Sequence, residues 1–421
     1  MKIAITNAVL SNTGDAAIFQ GIIDSLVHAG VCSSDDVIVF DANAAVTRRL
    51  YPEWTIYQQL TVAKRRKPAR LGIPLQRVRA SLGRRLVRRD PLLERLLASP
   101  LLAWTEYARS FRALSACDLV ISSGGTYLVD HYNFAPRVLE SEIVRALGKE
   151  LILWTQSMGP FARPRAAAQA TRISELVAGV YFRDQRSSDA WGRIDVGGVV
   201  GDVVSDVVFA LDTLRATGPD AQGWSVGEED AGVTAGGRAL VSVREWGRGV
   251  DSGEMSSNAY REMMREGIRT IHDLQIEAVA LSTCQGVASY AYDDSAVALD
   301  FFRGLPVIVD QDFHTPRQLL EEIAQSRLVV ATRMHLAILA LISRRPVIAI
   351  AYEFKTIELF ESLGLGHLVI RIEDADPEWL RRTIQTVVAD PTSAMLNEDQ
   401  LQDLRASAQK PAVALASRGR S

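Results

Sequence analysis

The amino-acid sequence predicts an α/β protein with two mostly parallel sheets. Apolar runs of about four to eight residues alternate with segments of helical period, the pattern of βα units. A glycine-rich, acidic stretch poor in large aliphatics, residues 216–237, divides that alternation into two series. At 421 residues, with 48% hydrophobic and 23% charged side chains, the chain is long enough for two domains with separate cores.

In the first series the strands are expected at residues 2–9, 37–41, 118–122, 151–156 and 180–183. In the second they are expected at 239–243, 276–281, 306–309, 328–331, 346–351 and 368–372. The organisation that follows is a first domain over 1–215 with a basic helical insertion at about 60–115, a linker or flap over 216–237, a second domain over 238–390 and a polar tail over 391–421.

The segment Lys64 to Arg89 holds eleven basic residues and no acidic one. One reading is a solvated helical insertion whose charge balances acidic surface elsewhere. The other is an arm that touches an anionic membrane or a lipid-diphosphate-linked glycan, each basic side chain contributing roughly 1 kcal/mol near such a surface. The whole chain carries a formal charge of −3, which gives no overall nucleic-acid signature, so any anion site must be local.

Cys32, Cys117 and Cys284 stand far apart without a CxxC pair or a Cys/His cluster, so neither disulfides nor a metal site is expected. The opening MKIAITNAV reads as a strand, and no apolar segment approaches the roughly 20 residues that cross a bilayer. A cytoplasmic protein is expected, at most touching the inner face of the membrane.

In an open α/β sheet, ligands bind outside the C-terminal ends of the strands, where loops diverge and helix N-termini point inward. Polar cargo gathers at those ends here. LVVAT stops at Arg333 and is followed by His335 at a helix start; PVIAIAY stops at Tyr352, with Lys355 just beyond. After the first strand, SNTGDAAI offers Asn12 and Gly14 for a tight turn and Asp15 to cap the next helix. SSGGTYL offers Gly124 and Gly125 for close approach to the backbone and the hydroxyl of Thr126. QSMGPF places Gln156 and Ser157 at another strand end, and Arg183 with Asp184 ends the following strand, either as a functional pair or as a structural ion pair.

Neither glycine loop has a dinucleotide or P-loop pattern, so a sugar or a phosphate is the ligand they suit. His335 sits at a strand-to-helix junction, where an imidazole can exchange a proton near neutrality; His28, His131, His272, His314 and His367 have no comparable setting. A nucleophile elbow is absent, and Asp293 with Asp294 reads as a helix cap before AVALDFF.

The order SNTGDAAI, ISSGGTYL, TQSMGPF, FRDQRSSD, then TRMHLAILAL with PVIAIAYEFK, resembles the polysaccharide pyruvyl transferase family from the first strand to about Gly366. The resemblance implies two Rossmann-like domains facing a central cleft, a glycosyltransferase-B-like arrangement. It also implies transfer of pyruvate from phosphoenolpyruvate to a cell-surface sugar as a cyclic ketal, and puts Arg183, His335 and Lys355 in the catalytic positions with Arg333 beside them. Residues 64–89 and 216–237 depart from the family's pattern and leave the acceptor open.

The residues suit that chemistry. A carboxylate and a phosphate on one small donor call for two or three fixed cations, Arg183, Arg333 and Lys355, and protonation of its methylene carbon calls for His335 as general acid or base. No cofactor is expected. The other readings are a nucleotide-sugar-dependent glycosyltransferase or epimerase of the same architecture, although the second domain shows no acidic residue placed for a ribose, and a non-catalytic glycan-binding partner.

Overall fold

The computed structural model describes residues 1–61, 75–88, 95, 97, 105–130, 132–194, 199, 201–212, 237–246, 254–285 and 293–418. Residues 64–74 and 89 of the basic segment, 216–236 of the glycine-rich stretch and His131 lie outside them. The chain forms two compact units. One comprises Met1–Ser11, Ile18–Ala210 and Arg405–Ser421, the other Asn12–Ala17 and Leu211–Leu404.

The sheet of the first unit contains β1 (Ile3–Ala8), β2 (Val37–Asp41), β3 (Ile56–Gln58), β4 (Leu119–Ser122), β5 (Gly125–Val129), β6 (Glu150–Gly159), β7 (Gly179–Phe182) and β8 (Asp202–Val203). Its order is β3-β2-β1-β4-β6-β7-β8, all parallel, with β5 pairing the C-terminal half of β6. The crossovers are α1 (Thr13–His28), α2 (Ala44–Leu50), α3 (Leu75–Val87), α4 (Glu106–Ser115), α5 (Ala135–Ala146), α6 (Pro164–Ser174) and α7 (Gln185–Gly192). All five strands expected in this half are present. β3, β5 and β8 were not expected: β8 has two residues, β3 ends on a glutamine, and β5 starts at a glycine that reads as a loop.

The second unit repeats the plan with β9 (Arg238–Val241), β10 (Glu277–Ala280), β11 (Ile308–Val309), β12 (Ser326–Ala331), β13 (Val347–Ala351) and β14 (Val369–Arg371), parallel in the order β11-β10-β9-β12-β13-β14. All six were expected. Its helices are α8 (Glu254–Asp273), α9 (Asp294–Phe301), α10 (Pro316–Ala324), α11 (Met334–Ile342), α12 (Phe354–Ser362) and α13 (Pro377–Ala389); the last helix, α14 (Glu398–Arg418), belongs to the first unit from Arg405 on.

Both orders are doubly wound and reverse direction once, between β1 and β4 in the first sheet and between β9 and β12 in the second. Such reversals open a crevice at the C-terminal strand ends, because the connections on either side leave in opposite directions. The cores explain the strand composition: β1 and β13 are buried along their whole length, as parallel strands covered on both faces must be. α11 is apolar all round, with every residue buried except His335. Each of its Leu and Ile side chains adds roughly 1.5–3 kcal/mol of burial, which fixes the helix and the imidazole it carries.

A buried polar network lies beside the first reversal. Asn7 adopts φ 63°, and its Nδ2 donates to Ser122 Oγ at 2.6 Å. Gln59 Nε2 donates to Asn7 Oδ1 and, at 3.4 Å, to Oε1 of the buried Glu140 on α5, which Arg137 approaches at 3.6 Å.

Candidate active site

In the first unit the site is built around Arg183, the residue after β7. Its side chain is 4% exposed, and three of its N–H groups are held: Nε donates to Ser157 Oγ at 2.6 Å, Nη1 to Asp206 Oδ2 at 2.9 Å and Nη2 to Thr126 Oγ1 at 2.9 Å. Thr126 comes from the start of β5, Ser157 from β6 and Asp206 from the segment after β8, so one guanidinium ties three segments together. Ser205 N–H donates to Ser407 Oγ on α14 at 3.0 Å, which fixes the segment that carries Asp206.

An Arg183–Asp184 ion pair is not formed. Asp184 precedes α7, and its Oδ1 caps that helix by accepting from Ser187 N–H at 2.7 Å while Oδ2 accepts from Ser157 Oγ at 2.6 Å. An aspartate just before a helix has unpaired backbone donors within reach, so the cap wins. Asp206 is the partner that sequence reasoning missed. Its signal was a single acidic residue inside the otherwise apolar VVSDVVFA.

Gln156 is buried, and its Nε2 donates to the carbonyl of Ser123 at 2.8 Å, holding the chain between β4 and β5. The glycines of that turn serve close packing. A Cβ at Gly124 would lie 2.6 Å from Thr155 Oγ1, and Gly125 has φ +147°, with the Tyr127 ring 2.3 Å from where a Cβ would be. What reads as a glycine loop is thus a tight bend leading directly into β5.

In the second unit, Gly14 and His335 meet. A Cβ at residue 14 would lie 2.6 Å from His335 Nδ1, so only glycine lets the imidazole sit against the first turn of α1. Asn12, and not Asp15, caps that helix: Asn12 Oδ1 accepts from Gly14 N–H at 2.9 Å and Asp15 N–H at 3.4 Å. Asn12 holds the position immediately before Thr13, whereas Asp15 already lies in the helix and only complements its dipole. Thr13 secures the turn, its N–H donating to Thr283 O at 3.0 Å and its Oγ1 to His314 O at 2.7 Å.

His335 and Lys355 occupy equivalent places, the second residue of the helix after β12 and the second residue of the helix after β13. An ammonium in a first turn opposes the helix dipole by roughly 0.3–1 kcal/mol. Lys355 is offset by an ion pair with Glu353, the residue at the N-cap position of its own helix, and its side chain is 11% exposed.

Arg333 lies at the reversal of the second sheet and makes a bidentate pair with Asp294, Nε to Oδ2 at 2.8 Å and Nη2 to Oδ1 at 2.6 Å. The expectation that Asp293 and Asp294 both serve as a helix cap is therefore half corrected. Asp293 caps α9, accepting from Ser295 and Ala296 N–H, and Asp294 turns inward to Arg333. Burial raises the pKa of the Asp294 carboxyl and the guanidinium beside it opposes the rise; the two short parallel bonds are those of an ionised pair.

Ser242 and Thr332 lace β9 to β12 across the same reversal, Thr332 N–H donating to Ser242 Oγ at 2.9 Å and Thr332 Oγ1 to Ser242 O at 3.1 Å. Two residues further, Arg244 stacks on Tyr352, its Cζ 3.6 Å from the ring centroid, and its backbone N–H donates to Tyr260 Oη at 3.2 Å. Sequence reasoning missed Arg244, although the rule that singled out Arg333, a basic residue where an apolar run ends, applies to it equally.

Two parallel-sheet units of this strand order define a glycosyltransferase-B-like α/β protein. Solved structures share that fold along nearly the whole chain. A UDP-GlcNAc 2-epimerase from Neisseria meningitidis is 10% identical, with 99% of this chain and 100% of that chain covered and a TM-score of 0.56. HepE from Anabaena, solved in complex with UDP-glucose, is 14% identical, with 99% and 95% covered and a TM-score of 0.53. At such identities the likeness is one of fold alone.

The family model for polysaccharide pyruvyl transferase matches residues 12–353, and the chain belongs to that family. It is accordingly a pyruvyl transferase of polysaccharide biosynthesis. Among curated proteins, the amylovoran biosynthesis protein AmsJ of Erwinia amylovora is 25% identical over 389 residues, which cover 89% of this chain and 88% of that protein.

Proposed function

We propose that the protein takes pyruvate from phosphoenolpyruvate and installs it on a sugar of a cell-surface polysaccharide or glycolipid as a cyclic ketal, releasing phosphate. The observation that carries this reading is the seating of His335, an imidazole held against the Gly14 backbone in the unit that also carries Arg333 and Lys355 at its strand ends. Proton transfer to a carbon needs a group that is fixed in place.

In the proposed reaction His335 delivers a proton to the methylene carbon, which becomes the methyl group, and positive charge develops at C2. A sugar hydroxyl oxygen bonds to C2, the bond from C2 to the phosphate oxygen breaks, and a second hydroxyl closes the ring. Two hydroxyl protons leave the sugar. One is balanced by the new methyl C–H bond and the other by the departing phosphate. Lys355 would meet the developing charge on that phosphate. Arg183, with Thr126 and Ser157 on its guanidinium, is proposed as the catalytic group of the first unit, and Asn12, Gly124, Gly125 and Gln156 as backbone-shaping residues for substrate.

The name of the AmsJ relative, which ties that protein to amylovoran biosynthesis, supports a polymer or its precursor as acceptor. A lipid-linked precursor is the finer proposal. α3 packs Gly83 and the buried Leu86 inward, Gly83 against Leu139 and Ile143, and leaves Arg84, Arg85 and Arg88 exposed. Among the described residues no helix is long and apolar enough to cross a membrane.

The purified protein incubated with phosphoenolpyruvate and a panel of free and lipid-linked glycosides should release phosphate and give an acid-labile product heavier by one pyruvate ketal. Release of nucleoside diphosphate from a sugar nucleotide, with none of phosphate from phosphoenolpyruvate, would replace this reading with a glycosyltransferase.

A further inference from the structure

Charge at the crevice of the second sheet is largely spent on internal partners. Arg333 is held bidentately by Asp294, and Lys355 by Glu353. Among the described residues no carboxylate lies within ion-pairing distance of Arg244, which follows the end of β9 by three residues, on the other side of the reversal from Arg333, and which Asp294 reaches only at longer range. Its guanidinium carbon lies 3.6 Å from the centroid of the Tyr352 ring, its Nε reaches the Glu245 carbonyl at 3.4 Å, and its backbone N–H is held by the buried Tyr260 hydroxyl.

A guanidinium covered on one face by an aromatic ring keeps its edge available, and that edge is a planar fork matched to carboxylate or phosphate oxygens. We propose that Arg244 grips the small anionic donor through that edge and that Tyr352 is the positioning residue that aims it. This rests on the pyruvyl-transfer reading and names a donor contact for it. A donor bearing two anionic groups needs a second cation beside the Lys355 of the proposed reaction, and Arg244, which makes no ion pair among the described residues, can supply it.

The test is steady-state kinetics of the full chain, with phosphoenolpyruvate varied at saturating acceptor and phosphate release as the readout. R244Q should raise KM for phosphoenolpyruvate roughly 10- to 100-fold, the loss expected for one charge-assisted contact, with a smaller change in kcat. Y352A should raise KM less, and Y352F, which keeps the ring, should restore it.

Competition separates the two oxygens that the fork could hold. Loss of inhibition by inorganic phosphate in R244Q assigns it to the phosphate, and loss of inhibition by oxalate assigns it to the carboxylate. A wild-type KM in R244Q, with both inhibitors still effective, overturns the proposal while leaving pyruvyl transfer standing. Should R244Q unfold, R244K decides, because it retains charge but not the fork: a raised KM supports the assignment and an unchanged one overturns it. Absence of phosphate release by the wild-type protein would remove the underlying reading as well.

Discussion

Gly14 and His335 are in van der Waals contact, and the space for a Cβ at residue 14 is already filled by the imidazole, with Nδ1 2.6 Å away. Gly14 sits in the first turn of α1 and is not among the residues with positive φ, so its backbone does not require glycine; the neighbour does. Gly14→Ala should therefore separate two effects. Alanine favours the helix by about 0.5–1 kcal/mol, while the ring must move to make room. Displacement of a catalytic group by about 1 Å can cost 10²-fold. The expected outcome is a fall in kcat of that order with a thermal midpoint within a few degrees of wild type. A fully active alanine variant would show that the ring's position is immaterial.

His335→Ala should lower kcat for phosphate release by roughly 10²–10⁴-fold, the span of general acid–base catalysis. Calorimetric titration should still detect phosphoenolpyruvate, because the cations at the strand ends are untouched. His335→Gln, which keeps polarity without a titratable ring, should be equally slow. Loss of donor binding in both variants would recast the histidine as an anchor.

The Arg333–Asp294 pair makes a stability prediction. Both side chains are largely buried, 10% and 2% exposed. Asp294→Ala strands a guanidinium without its partner and should cost about 3–5 kcal/mol in denaturant unfolding. Arg333→Leu with Asp294→Leu should recover much of that, because two apolar side chains bring no uncompensated charge. A double variant as unstable as the single one would mean that the site needs the pair's hydrogen-bonding geometry itself.

These contacts mark what the sequence disclosed. Buried parallel strands are continuous apolar runs, so both sheets and the basic residues at their ends are legible, and His335 stands out because it falls at a strand-to-helix junction just after Arg333. Partner choice was not legible. Arg183 is adjacent in sequence to Asp184 yet pairs with Asp206, because helix capping claims the nearer carboxylate. Asp293 and Asp294 are chemically identical neighbours that divide between a cap and a buried ion pair, a distinction set by the direction each side chain takes at the helix start. In sequence Gly14 looks like a turn residue, whereas in the fold its missing Cβ leaves room for a ring more than three hundred residues away in the chain. Such facts depend on what the fold brings alongside, which no local pattern encodes.

Glu140 supplies a pH dependence that can be tested apart from catalysis. Burial raises the pKa of its carboxyl above the ordinary value, opposed by Arg137 and by hydrogen bonds with Thr6, Asn7 and Gln59. The unfolded chain ionises this group at its ordinary value, whereas the folded chain holds the proton to higher pH. Between those two points the unfolded state binds fewer protons, so this contribution to stability is fully present below the ordinary value and is lost as pH rises through the folded one. Glu140→Gln preserves the shape of the network around Asn7 and Gln59 but cannot ionise. The difference in thermal midpoint, wild type minus variant, should therefore decline as pH is raised above the ordinary carboxylate value. Parallel curves across that range would show that Glu140 holds the same charge in both states and that the network tolerates a buried carboxylate.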